Sequence, residues 1–179
     1  NKILKIFSFK IASNIGGFLL SLLGPLSKYN KIIIKNLKIL DEDPKKLSKI
    51  SKENLKQTGK VFFEFFCLNK FNWESISVEN GEYHQLIKQY EGSKIFISAH
   101  IGNWEITRNY LLNLGFKLHS VYRHANNLKI DQYIQKNRYR ENAFFYKKGS
   151  DSAKNMIKAL KNKEDLALLV DQRDSSGPI

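Results

Sequence analysis

From residue 94 onward, short apolar runs alternate with helix-length segments, and this alternation constrains the fold more than any other feature. Lys94 to Ala99, Lys117 to Tyr122, Ala143 to Lys147 and Leu166 to Asp171 read as strands. Glu82 to Tyr90, Trp104 to Leu114, Leu128 to Glu141 and Asp151 to Leu160 read as helices. The punctuation agrees: Gly115 stands at a helix C′ position, and Asn126 or Asn127 at an N-cap. Strands joined by helices of this length pair in parallel, so the segment predicts an α/β fold with a mostly parallel sheet flanked by helices. Apolar runs such as Leu166-Ala167-Leu168-Leu169-Val170 predict strands covered on both faces. Ligands of such sheets bind beyond the strand C-terminal ends, which is where chemistry is to be sought.

The first forty residues follow a different rule. They contain seven Lys (Lys2, Lys5, Lys10, Lys28, Lys31, Lys35, Lys38) and no acidic residue, and Ile11 to Ser27 carries no charge. A spanning helix needs about 20 apolar residues. This run is shorter and is diluted by Ser, Asn, Gly and Pro, and no small-x-small cleavage site follows it. A helix lying at an anionic membrane surface fits the Lys flanks best, with an ordinary buried helix as the alternative. Residues 1–40 are thus expected as a helical membrane-associating segment, and 41–179 as the α/β domain. Asp41-Glu42-Asp43-Pro44 starts a further helix, Lys45 to Leu68, with an apolar stripe of Leu47, Ile50, Leu55, Val61, Phe62, Phe65 and Phe66. The Phe cluster is expected to pack as core. The chain starts at Asn1 and stops at Gly177-Pro178-Ile179 just after a strand, so it is read as the front portion of a longer domain whose C-terminal part is absent.

Composition removes several function classes. The single Cys67 excludes a disulfide framework and a multi-cysteine zinc site, and no metal or cofactor is expected. The net charge of +13 points to an acidic partner: nucleic acid, an anionic membrane or an acidic carrier protein. No Arg-Gly run, aromatic-basic RNA signature or helix-turn-helix pattern supports nucleic acid.

Two segments lie just past strands. In Ser98-Ala99-His100-Ile101-Gly102-Asn103-Trp104-Glu105, His100 follows the strand and Glu105 falls in the first turn of the next helix. Imidazole accepts a proton near neutral pH, and a carboxylate beside it fixes the tautomer and stabilises the imidazolium. On one continuous helix the two residues would diverge by about 140°. The turn at Gly102-Asn103 lets them meet. The alternative is a strand-end His with a capping Glu. The second segment is Asp171-Gln172-Arg173. Arg is scarce, 5 of 30 basic residues, yet Arg108, Arg123, Arg138 and Arg140 fall close together. A fixed guanidinium suits a phosphate or a carbonyl developing negative charge, and the alternative for each is a surface ion pair.

The string Ala99-His100-Ile101-Gly102-Asn103-Trp104-Glu105 resembles the His-x4-Glu signature of the bacterial lipid A biosynthesis acyltransferases, the late lauroyl and myristoyl transferases. Val121-Tyr122-Arg123 with Asn126-Asn127, then Asn137-Arg138, then Asp171-Gln172 are similar to later blocks of that family, in order. The resemblance implies transfer of a fatty acyl group from acyl carrier protein to a hydroxyl of a lipid A precursor, at the cytoplasmic face of the inner membrane. It implies that His100 is the general base, oriented by Glu105, and that Asn103, Arg123, Arg138, Asp171 and Gln172 contact substrate. Replacing His100 or Glu105 by Ala is expected to abolish transfer without unfolding the protein. Arg173 stands where the family commonly has an acid. Two other readings stay open: an acyltransferase for another lipid acceptor (a lysophospholipid, an aminolipid or a glycosylated phospholipid), and a non-catalytic basic protein that binds membrane or nucleic acid.

Overall fold

The computed structural model describes residues 7–40 and 43–172, so Lys2, Lys5, Asp41, Glu42 and Arg173 lie outside the described residues. The chain divides into two compact units, one up to Asn72 and one from Trp73.

The first unit is helical. Helices α1 (Phe9–Leu23), α2 (Lys28–Leu37) and α3 (Pro44–Phe65) are its main elements. Gly24-Pro25-Leu26 forms a 3-10 turn that separates α1 from α2. Its Pro removes one helical donor and resets the chain direction. Asp43 caps α3 by accepting the Lys45 N–H at 2.6 Å, and Pro44 occupies the first turn. The buried face of α3 is Leu47, Ser51, Leu55 and Gly59, a strict spacing of four. It meets Ala12, Ser13, Gly16 and Gly17 of α1. The crossing is so close that a Cβ on Gly59 would lie 2.1 Å from the Gly16 carbonyl oxygen. The expected apolar stripe is therefore only half right: Phe62 is 60% exposed, and small residues take the contact.

The second unit carries the sheet. Its strands are β1 (Ile95–Ser98), β2 (Leu118–Tyr122), β3 (Ala143–Lys147) and β4 (Asp165–Leu169). All pairings are parallel, in the order β1-β4-β2-β3. Helices α4 (Gly81–Gln89), α5 (Trp104–Asn113), α6 (Leu128–Arg138) and α7 (Ser150–Lys161) accompany them. Right-handed crossovers put α5 and α6 on one face and α7 on the other, where α7 packs on β2, β3 and β4. Gly115, with φ +91, ends α5 as expected, and the Asn127 side chain caps α6. The predicted cover on both faces fails for β1, an edge strand whose Ile95 and Ile97 are exposed.

Candidate active site

The register of β1 on β4 builds the site. Ser98 pairs with Leu169, and the Val170 N–H still donates to the Ser98 carbonyl at 3.1 Å. Two residues beyond that paired row stand His100 and Asp171, 71 positions apart in sequence and side by side in space. Asp171 grips His100 twice: Oδ2 accepts the backbone N–H at 2.9 Å, and Oδ1 meets Nδ1 at 2.8 Å. Those hydrogen bonds, the side-chain one foremost, hold the Asp171 carboxyl below its ordinary range, so it is ionised at neutral pH. An ionised carboxylate only accepts, so Nδ1 carries the proton and Nε2 is left with its lone pair. The His100 ring also rests edge-on against Trp104, with centroids 4.8 Å apart.

Glu105 has another partner. Its oxygens meet two guanidiniums: Oε1 accepts from Arg138 through Nε at 2.8 Å and through Nη2, and Oε2 lies 3.1 Å from Arg108 Nη2. Among the described residues no hydrogen bond or ion pair joins Glu105 to His100. The carboxylate that contacts His100 is thus Asp171 and not Glu105. The physical reason is burial. Glu105 is 3% exposed, and an ionised carboxylate at that depth requires full pairing. Two planar guanidiniums from α5 and α6 supply the charge pairing, with hydrogen bonds from Arg138 on Oε1 and an ion pair from Arg108 on the buried Oε2. Arg108 and Arg138 both sit over the Phe145 ring, at 4.9 and 5.7 Å from its centroid. Burial drives the Arg108 pKa down to about 10, against the raising effect of Glu105, so Arg108 stays protonated at neutral pH.

The remaining predicted residues separate. Asn103 caps α5, its Oδ1 accepting the Glu105 N–H at 3.2 Å. Gly102, with φ +57 and open space where a Cβ would stand, gives the left-handed turn that carries the chain from His100 into α5. Arg123 is exposed after β2 and joins neither cluster among the described contacts. Gln172 is exposed beside Asp171. Arg140 donates to the neighbouring Tyr139 carbonyl at 2.7 Å instead of pairing with an acid.

A cavity of about 760 Å³ opens between β1, α4 and α5. Ile76, Ile87, Ile97 and Leu111 make much of its wall apolar, while Glu105, Arg108 and Arg138 line one part. Trp104 lines it too, and so lies between the cavity and His100. The sequence reading passed over a second histidine cluster. His119 is buried in β2, with Nδ1 2.7 Å from the Tyr146 hydroxyl and Nε2 2.9 Å from Glu164 Oε2. Burial and then Glu164 push the Tyr146 hydroxyl pKa up. None of the three lines the cavity. Arg108 was also missed as a site residue; its signal was a scarce Arg one helical turn after Glu105.

A parallel α/β sheet thus carries His100, held by Asp171, beyond its strand ends, and Glu105, paired with two guanidiniums, in the first turn of the next helix. The family model for the bacterial lipid A biosynthesis acyltransferases matches residues 1–177, and the chain belongs to that family. Acyl transfer is the reaction class this membership assigns. Comparison with curated proteins gives no match.

Proposed function

We propose that the chain moves a fatty acyl group from acyl carrier protein to a hydroxyl of a lipid A precursor, at the cytoplasmic face of the inner membrane. The observation that carries this reading is the Asp171 clasp on His100, which leaves Nε2 as a base at the exposed end of the sheet. Nε2 takes the proton of the acceptor hydroxyl as its oxygen attacks the thioester carbonyl carbon. The tetrahedral intermediate collapses, the carbon–sulfur bond breaks, and the imidazolium returns its proton to the leaving thiolate. Arg138, fixed by Glu105, offers permanent charge to an oxygen that becomes negative during attack. The apolar cavity suits the acyl chain.

Membrane association is supported by α1. Phe9–Leu26 is long and apolar enough to cross a membrane by length and composition, and only 22% of it is buried. Phe18, Leu22, Leu23 and Leu26 are exposed, in a segment flanked by Lys10 and Lys28. The deciding experiment incubates the whole protein with acyl carrier protein thioesters and a panel of acceptors, read by mass spectrometry. Acylation of the lipid A precursor is expected. Acylation of a lysophospholipid, an aminolipid or a glycosylated phospholipid alone refutes the acceptor, and acylation of none refutes the reading.

A further inference from the structure

Glu105 serves two guanidiniums of different character. Arg138 comes from the last turn of α6 and is the more exposed of the two. Arg108 comes from the same helix as Glu105, one turn later, and its side chain is 11% exposed. All three of its guanidinium nitrogens are buried without a hydrogen-bond partner, so it contributes an ion pair of 3.1 Å to Glu105 Oε2 and its stacking on Phe145. A buried guanidinium with so few hydrogen bonds is costly to maintain. What the cost sustains is a fixed plane for the Glu105 carboxylate. With only Arg138 as partner, that carboxylate would be held on one oxygen and free to turn about its last torsion. Arg108 engages the other oxygen, and Phe145 forms a common floor under both guanidiniums.

We propose that Arg108 is a positioning residue for acyl transfer, acting through Glu105 to set the aim of the Arg138 guanidinium into the cavity. The inference rests on the acyl-transfer reading of the site. Arg108 itself lines the cavity beside Glu105 and Arg138, and its proposed effect on the reaction passes through Arg138. Misplacement of a catalytic group by about 1 Å can cost about 100-fold in rate.

Two measurements test it. In kinetics, Arg108→Met is expected to lower kcat by about 10- to 100-fold with KM nearly unchanged, and Arg108→Lys to recover part of the loss. In an Arg138→Met background, Arg108→Met is expected to cost no further activity, although its effect on Tm persists. Equal fold-losses in both backgrounds, or full activity of Arg108→Met, overturn the proposal. The second measurement needs no substrate. With 5 Arg in the chain, the Arg138 Nε–H signal is assignable by NMR through its loss in Arg138→Lys. It is expected to exchange slowly in the wild type, and to shift and exchange fast in Arg108→Met and partly in Arg108→Lys. An unchanged signal in both folded variants overturns the proposal. Wild-type protein that acylates nothing would refute the acyl-transfer reading instead, and the NMR result would still decide whether Arg108 governs Arg138.

Discussion

Asp171→Asn changes one atom of the clasp on His100 and should invert the base. The backbone N–H of His100 is a fixed donor, so the Asn oxygen must take the place of Oδ2 at 2.9 Å. The amide NH2 then occupies the position of Oδ1, 2.8 Å from Nδ1. Two donors cannot face each other, so the imidazole proton moves to Nε2, the atom that must accept from the acceptor hydroxyl. The same substitution in the Ser-His-Asp template costs about 10⁴ in kcat. Here the His100 and Asp171 side chains are 30% and 35% exposed, and water competes at both, so a loss on the order of 100- to 1,000-fold is expected. The assay is steady-state transfer from a carrier-bound thioester, with ¹⁵N shifts of the His100 ring reporting the tautomer. The pH dependence has a definite sign. A carboxyl whose pKa is lowered in the folded state contributes above its ordinary pKa, and loses that contribution only as pH falls through the lowered value. Asp171 therefore stays ionised across about pH 6 to 9, so its own titration adds no pH dependence to the loss in Asp171→Asn over that range. Retention of more than about a tenth of wild-type kcat, or an Nε2–H tautomer in the wild type, would refute the reasoning.

Glu105→Gln removes the one carboxylate between two buried guanidiniums, and should cost about 3–5 kcal/mol of stability besides activity, read as a lowered Tm. His100→Ala should abolish transfer with Tm unchanged, so the two substitutions that look alike in sequence separate in calorimetry. Gly59→Ala drives a Cβ against the Gly16 carbonyl and should destabilise by about 1–3 kcal/mol, measurable by thermal unfolding. Phe18→Glu, on the exposed face of α1, should weaken flotation with anionic vesicles by roughly 100-fold without lowering Tm, since charge inside a bilayer costs about 3 kcal/mol.

The strands and helices of the second unit were legible because their periods and caps are local: Gly115 and Asn127 mark ends that a reader can see. Strand order was not. The sequence places His100 five residues from Glu105, and nearness along the chain suggested the pair. Nearness in space depends on β4 entering the sheet next to β1 ahead of β2, a crossover no local signal encodes. Once β4 lies there, the Ser98–Leu169 row sets His100 and Asp171 at equal distances past it, and their meeting follows. The fate of Glu105 was hidden for a related reason. Position 105 on α5 points to the sheet, and its depth depends on what α6 and Phe145 of β3 bring over it. His100, Glu105, Arg138 and Asp171 were legible from sequence as site candidates, and Arg108 as one of four close-lying Arg; the pairing among them was not.

The same distinction decides how α1 is to be understood. Hydropathy alone treats a spanning helix, a surface helix and a core helix as equivalent, because each needs an apolar run. Burial does not. A core helix hides its largest side chains and shows its smallest. In α1 the buried positions are Ala12, Ser13, Gly16 and Gly17, while Phe18, Leu22 and Leu23 face outward. The glycines are consumed in the close crossing with α3, where Ser13 also donates to Glu64 at 2.6 Å. Small residues at a helix–helix contact with large apolar residues outside is the pattern of helices that pack inside lipid, where hydrocarbon supplies the environment a protein core would otherwise provide. Lys10 and Lys28 stand at the ends of this run, where an anionic headgroup layer would attract them. The charge of the first forty residues and the inverted packing of α1 both support the proposed membrane association, whereas a solvated Lys edge on a buried helix accounts for the first alone.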